Sequence, residues 1–229
     1  MIELTLKDLE EANINRIICQ YGLCIIRGVE FDLQSFQVVS EKLGKTLKTE
    51  RHVLNVDRTI QEISETGLFS NAKVEWHNDW SYGRGDYHGT MLYNVHNGGN
   101  APTMFVDMSK LPAAFYEKYK DYIGFYAPPL DFQYCFTDKQ AKILAKQKIS
   151  RPFVFNHPIT EEKVLYCSPG TLMQPHCDLS DIIKYANNNA YHHKWQKNDI
   201  LIFDNFKMMH CRHEFAGLRT LWRVQFKLW

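Results

Sequence analysis

Residues 199–226 read DILIFDNFKMMHCRHEFAGLRTLWRVQF. Within them, 199–204 and 220–226 are apolar runs too short for helices and bounded by polar turn residues, the pattern of β-strands. Working back along the chain, FVFN (153–156) and VLYCS (164–168) flank HPITEE as a hairpin. TMFVDM (103–108) and MLYNV (91–95) are strands separated by the turn-rich NGGNAP. LCII (23–26) is another short apolar run, and a further strand is expected near residues 62–64, inside a long polar loop over 45–75. Helical spacing appears over 5–21, where Leu6, Leu9, Ile17, Ile18 and Tyr21 share a face, Thr5 and Asp8 are placed as a capping box and Gly22 is the stop. DLQSFQVVSEKLG repeats the pattern with Phe36, Val39 and Leu43 before Gly44, and residues 109–122 and 138–149 also read as helical. Many short strands, with helices concentrated in the first half and middle, predict a mainly β or α+β chain: an antiparallel sheet or barrel with helices packed outside it.

A chain of 229 residues fits one domain spanning 1–229, which can bury roughly three quarters of its unfolded surface. Hydrophobic residues at 45% and charged residues at 23% exclude a disordered or fibrous chain. Lys and Arg total 27 against 26 Asp and Glu, a net charge of +1, so the field that tracks nucleic-acid phosphates is absent and no nucleic-acid partner is expected. The opening MIELTLKDLEEANINR is acidic where a signal peptide is basic. No run nears the roughly 18 apolar residues that cross a bilayer, so no membrane partner is expected. Six cysteines without a CxxC pair suit free thiols in a reduced, cytoplasmic setting. A homo-oligomer is left open.

Several motif fragments carry nothing. LGKT (43–46) has Val39 where a phosphate-binding loop needs glycine, HEF (213–215) is not HExxH, and neither GxSxG nor PCxxC occurs. Two His-x-Asp triplets remain, HND (77–79) and HCD (176–178). The second precedes LSDIIKYA, where Asp178 or Ser180 serves as a helix cap. The first lies between Trp76 and Trp80 with no capping task. On a strand or its extended exit, the period of two points His77 and Asp79 to the same side. His210, after the strand ILIFDN, is suited to be a third ligand, and two histidines with one carboxylate form the facial triad of non-haem Fe(II) oxygenases. Arg219 and Arg223, four apart on a strand, share a face. Buried arginines call for anionic partners, and a dicarboxylate would supply one.

With these motifs in order, the chain resembles the taurine dioxygenase family of Fe(II)- and 2-oxoglutarate-dependent enzymes, nearly end to end. EWHNDWSY is similar to its metal triplet between aromatics, and GGNAPTMFVDM to its Gly-Gly-Asp-Thr stretch with two residues inserted. FNHPITEEKVLYCS resembles its His-Pro hairpin, WQKNDILIFDNFKMMH its Trp…Asp…Asp-Asn…His segment, and QYGLCIIRGVEFDLQSFQVVSEKLG its first strand and following helix. The resemblance implies a double-stranded β-helix, a cupin-like jelly roll, flanked by α-helices. It implies Fe(II) held by His77, Asp79 and His210, with 2-oxoglutarate as cosubstrate and O2 as oxidant. Thr103 would hydrogen-bond the cosubstrate, Arg219 would pair with its far carboxylate, and Arg223 would face the substrate or a second anion. The implied reaction releases succinate and CO2 while oxidising a C–H bond of a small molecule, by hydroxylation in preference to desaturation or cyclisation; the competing reading is a catalytically idle metal-binding scaffold on the same fold. Asp79 fills the position that a halogenating relative leaves open for chloride. Arg223, Arg84, Tyr82, Tyr93 and Phe206 suit a small molecule with an anionic group.

Overall fold

A computed structural model describes residues 1–11, 13–49, 52–67, 69–83, 88–97, 101–127, 146 and 149–228. Two sheets pack face to face. The larger has the order β1 (Ile2–Leu4), β2 (Leu23–Ile26), β13 (Ile200–Asp204), β5 (Gly89–Asn97), β15 (Arg219–Phe226), β3 (Gln61–Ser64). The smaller runs β12 (Tyr191–His193), β6 (Thr103–Asp107), β14 (Met208–Arg212), β4 (Val74–His77). Neighbours in both are antiparallel except β1 and β2. Two further ladders pair β9 (Val154–Asn156) with β10 (Lys163–Leu165), and β7 (Ile123–Tyr126) with β8 (Ile149–Pro152) and β11 (Leu172–Gln174).

Strand alternation sorts the apolar residues into three layers. Ile200 and Ile202 of β13 point outward onto Ile18 of α1 (Ile14–Tyr21) and Phe36 of α2 (Leu33–Leu43). Leu201 and Phe203 of the same strand point inward, against Phe105 and Met208 of the opposite sheet. On the far side, Met104, Val106 and Met209 pack on Tyr116 and Tyr119 of α3 (Ala113–Tyr119) and Ile182 of α4 (Ser180–Asn189). Central strands are thus buried on both faces, which is why LCII and ILIF read as unbroken apolar runs rather than alternating ones.

The expected antiparallel β architecture with external helices is present, as are α2, the strand expected near 62–64 (observed as Gln61–Ser64) and the His-Pro hairpin. Several boundaries differ. The helix expected over 5–21 is two pieces, a 3-10 turn Leu6–Glu10 and α1. Thr5 and Asp8 do form the capping box, but Leu9 and Ile14 are both core residues. Five positions apart, they would lie on different sides of one α-helix, and the extended Glu11 (φ −65°, ψ 134°) re-aims the chain. The helix expected from 109 begins only at Ala113, because Pro112 cannot sit inside a helix and Asp107 accepts from the Ser109 backbone (2.9 Å) in a tight turn. Strands β1, β7, β11 and β12 were not expected; at three or four residues each they are too short for a period. The helix expected over 138–149 lies outside the described residues except for Lys146 and Ile149, and Ile149 opens β8. Arg84 also lies outside them. The described cysteines are free thiols, and no described helix is long and apolar enough to cross a membrane.

Candidate metal centre

β14 and β4 are neighbours in register, with His210 directly opposite His77. Directly opposed residues project to the same face, here the inner one, and the two imidazole centroids are 4.2 Å apart. The ladder stops at His77, and Asp79 follows in the exit segment. His77 Nε2 lies 3.6 Å, and His210 Nε2 3.9 Å, from Asp79 Oδ1. One ligand atom from each residue lies within 4.8 Å of the other two, and all three residues are buried. His77 Nδ1 donates to the Glu75 carbonyl (2.8 Å), which leaves Nε2 facing inward as a lone-pair donor.

Electrostatics prepare the donors. Burial, followed by the neighbouring His77, pushes the His210 pKa down to about 3, so its imidazole is neutral. Burial alone would raise the Asp79 carboxyl, but Arg223 above all, together with the two histidines, holds it well below the usual carboxylate range. A neutral imidazole beside an ionised carboxylate is the protonation state that metal binding requires, so the donor set fits a divalent ion of the iron type.

Arg219 and Arg223 lie on the inner face of β15 and line one cavity with the triad and Thr103; it measures about 460 Å³ counted to its open mouth. Arg223 Nη1 is 3.2 Å from Asp79 Oδ1, and its Nη2 donates to Gln61 Oε1 (2.7 Å). Arg219, only 3% exposed, donates to Thr103 Oγ1 (3.2 Å), which also accepts from Trp195 Nε1 (3.0 Å). Its Nε is buried with no hydrogen-bond partner among the described residues. Burial, then nearby Arg212, pushes its pKa down to about 9. A desolvated guanidinium with a donor to spare is the setting for an anionic ligand.

All six candidate residues, His77, Asp79, His210, Thr103, Arg219 and Arg223, therefore meet at one cavity. His176 and Asp178 lie apart from it, before α4; the cap position is Leu179, while Asp178 Oδ1 accepts from the Ser180 backbone one residue earlier (2.8 Å). Three residues around the site were not anticipated there. Gln61 lies one residue before the strand predicted in the long loop and opens the observed β3, Arg212 follows His210 by one strand period, and Trp195 opens the C-terminal motif with no task assigned. Arg212 Nη2 donates to the carbonyls of Phe69 and Ser70 (3.1 and 3.0 Å), fixing that segment beside the cavity.

A second cluster, Cys19, His157 and Asp204, also brings ligand atoms together. His157 Nδ1 accepts from the backbones of Ile159 and Thr160 (3.2 Å each), so Nε2 carries the proton and faces Asp204 Oδ2 at 2.8 Å. Burial drives the Cys19 thiol far up, away from thiolate. That arrangement ties the hairpin to the β13–β14 turn.

No curated protein matches the chain. Among solved structures it is similar to AAD-2 in complex with Mn(II) and N-oxalylglycine, with a TM-score of 0.75 and 18% identity over 97% of this chain and 89% of that one. A taurine dioxygenase from Burkholderia xenovorans gives 0.74 and 17%, covering 98% and 84%. PvcB, an Fe, alpha-ketoglutarate dependent oxygenase from an isonitrile synthetic pathway, gives 0.67 and 17%, covering 97% and 82%. At these identities the likeness speaks for the fold, a double-stranded β-helix with a few helices. Residues 3–225 match the family model of the taurine catabolism dioxygenases, TauD and TfdA. With the His77, Asp79 and His210 triad in place, the chain belongs to the TauD/TfdA family of dioxygenases, whose cofactors are Fe(II) and 2-oxoglutarate.

Proposed function

We propose that this chain oxidises an unactivated C–H bond of a small molecule bearing an anionic group, by hydroxylation, with release of succinate and CO2. His77 and His210, through Nε2, and Asp79, through its carboxylate, would hold Fe(II). Bound together, Fe(II), 2-oxoglutarate and O2 supply oxidative decarboxylation of the keto acid and removal of hydrogen from a nearby C–H bond. Arg219 orients the cosubstrate by pairing with its far carboxylate, and Thr103 fixes the guanidinium by accepting its Nη2 hydrogen. Arg223 neutralises Asp79 and presents its remaining donor edge to the substrate side of the cavity. Ile63, Val74, Leu92 and Leu221 line the same space and keep water from the reacting carbon. One observation carries the reading: a buried guanidinium with an unspent Nε donor lines the same cavity as the triad. N-oxalylglycine, bound by AAD-2 with Mn(II), is a dicarboxylate of the class Arg219 suits. Asp79 being a carboxylate favours hydroxylation over halogenation.

The test is a screen of small carboxylates, sulfonates and phosphates coupled to succinate formation, followed by mass analysis of the product. Substrate-dependent succinate with a product heavier by one oxygen is expected. A product lighter by two hydrogens assigns desaturation or cyclisation instead. Turnover only with uncharged substrates refutes the anionic class, and a chlorinated product overturns the role given to Asp79.

A further inference from the structure

We propose that Asn205 is a positioning residue whose carboxamide holds Asp79 in place for the metal, an inference that rests on the metal-site reading above. β4 ends at His77, so the peptide groups of Asp79 have no strand partner of their own. Immediately afterwards the chain turns sharply, with Trp80 in the left-handed region (φ 55°). A carboxylate on such an exit segment would swing with its backbone, yet Asp79 is buried, and its main-chain groups must be paired there.

Asn205 supplies both partners. Asp79 N donates to Asn205 Oδ1 (2.8 Å), and Asn205 Nδ2 donates to the Asp79 carbonyl (2.7 Å). Acceptor facing N–H and donor facing C=O fix the orientation of the amide without ambiguity. This is the pairing that a neighbouring strand would give, made by one side chain. Asn205 is itself held at both ends of its own peptide: its N–H donates to the His88 carbonyl (2.6 Å), and its carbonyl accepts from Asn78 Nδ2 (2.7 Å). The turn that carries it is closed by Asp204 Oδ1, which accepts from the Phe206 backbone (2.9 Å). The Asp79 backbone is therefore tied to the turn between β13 and β14, and the second of these strands carries His210. Two ligands distant in sequence are set relative to each other through Asn205.

Chemistry restricts the position. A carboxamide accepts and donates from one planar group; aspartate would set a charged oxygen against the Asp79 carbonyl, and alanine would leave both groups unpaired. The polar contacts of Asn205 are with backbone and Asn78, not with the Asp79 carboxylate, so it acts through Asp79 rather than on bound ligands.

The test is anaerobic titration of the full-length protein with Co(II), read by the visible absorption of the bound ion, after circular dichroism has shown each variant folded. Asn205→Ala and the isosteric Asn205→Asp should each weaken Co(II) about 10- to 100-fold. In an Asp79→Gly background the same Asn205→Ala change should cost less than about 2-fold, because the group it acts through is gone. Undiminished Co(II) affinity in folded Asn205→Asp overturns the proposal. An equal loss with and without Asp79 also overturns it, since that marks general destabilisation. A wild-type protein that binds no Co(II) refutes the metal-site reading instead, and this inference falls with it.

Discussion

Replacing Arg219 by methionine should separate what the arginine costs from what it is for. Its guanidinium is buried, and among the described residues it donates to one hydroxyl, Thr103 Oγ1, while its Nε has no hydrogen-bond partner. Burial, with Arg212 second, lowers its pKa from 12.5 to about 9. At about 1.4 kcal/mol per tenfold change in proton affinity, that is a penalty on the order of 5 kcal/mol on the charged form. The folded-state value lies below the unfolded one, so the penalty is full below pH 9 and fades only between 9 and 12.5. At neutrality it acts undiminished. A carboxylate docked on Arg219 offsets it, and losing one partner of such a buried pair costs about 2–5 kcal/mol, a factor of about 30 to a few thousand in affinity. Without 2-oxoglutarate, Arg219→Met should be at least as stable as wild type, because a flexible apolar chain replaces an unpaired buried cation. With Co(II) and 2-oxoglutarate at about 100 times its wild-type Kd, wild type should gain about 2.7 kcal/mol, or roughly 5–10 °C in Tm, and the variant less than about 1 kcal/mol. Thermal unfolding of both proteins, with and without the keto acid, reads both effects. A variant that is less stable alone yet shifted equally by 2-oxoglutarate would refute the assignment.

Three further changes have distinct expected outcomes. Thr103→Val should raise the 2-oxoglutarate KM about 5- to 30-fold, less than loss of Arg219, since it unpairs Trp195 Nε1 and Arg219 Nη2 at about 1–2 kcal/mol; an unchanged KM in steady-state succinate assays would contradict this. Arg223→Ala should act on the prime substrate and on metal retention together, because Arg223 contacts Asp79 Oδ1, and an effect on substrate KM with unaltered Co(II) affinity would show that this contact carries no weight. Glu162→Gln should destabilise the protein by about 2–3 kcal/mol, since Lys207 Nζ is fully buried against it at 2.5 Å. The Glu162 carboxyl is pulled down to about 2, where Lys110 and Lys207 outweigh burial. Its stabilisation is therefore full above pH 4.5 and lost as pH falls toward 2, so acid unfolding should be shallower in the variant over that window.

Chemistry was more legible in the sequence than topology. The HND triplet, His210 and the paired arginines could be read because side-chain period and residue type suffice to place them on faces. The same rules could not show that His77 and His210 stand opposite each other on neighbouring strands, since register depends on which strands pair. Three-residue strands such as β1 and β12 were invisible for want of a period. The split of the first helix turned on the directions of Leu9 and Ile14 relative to a core that local sequence does not reveal. Gln61 and Arg212 were missed because their importance lies in what they touch: Arg223 in one case, the carbonyls of Phe69 and Ser70 in the other. Asn205 stood in a quoted motif, yet its task depends on where the ladder ends.

The most direct measurement is the visible spectrum of anaerobic, Fe(II)-loaded protein on addition of 2-oxoglutarate. Chelation of the keto acid at an iron held by His77, Asp79 and His210 should produce a weak charge-transfer band in wild type. The band should be lost in His210→Ala and should need far more keto acid in Arg219→Met. A folded, iron-loaded wild type that shows no band at saturating 2-oxoglutarate would contradict the claim that metal and cosubstrate meet at this site.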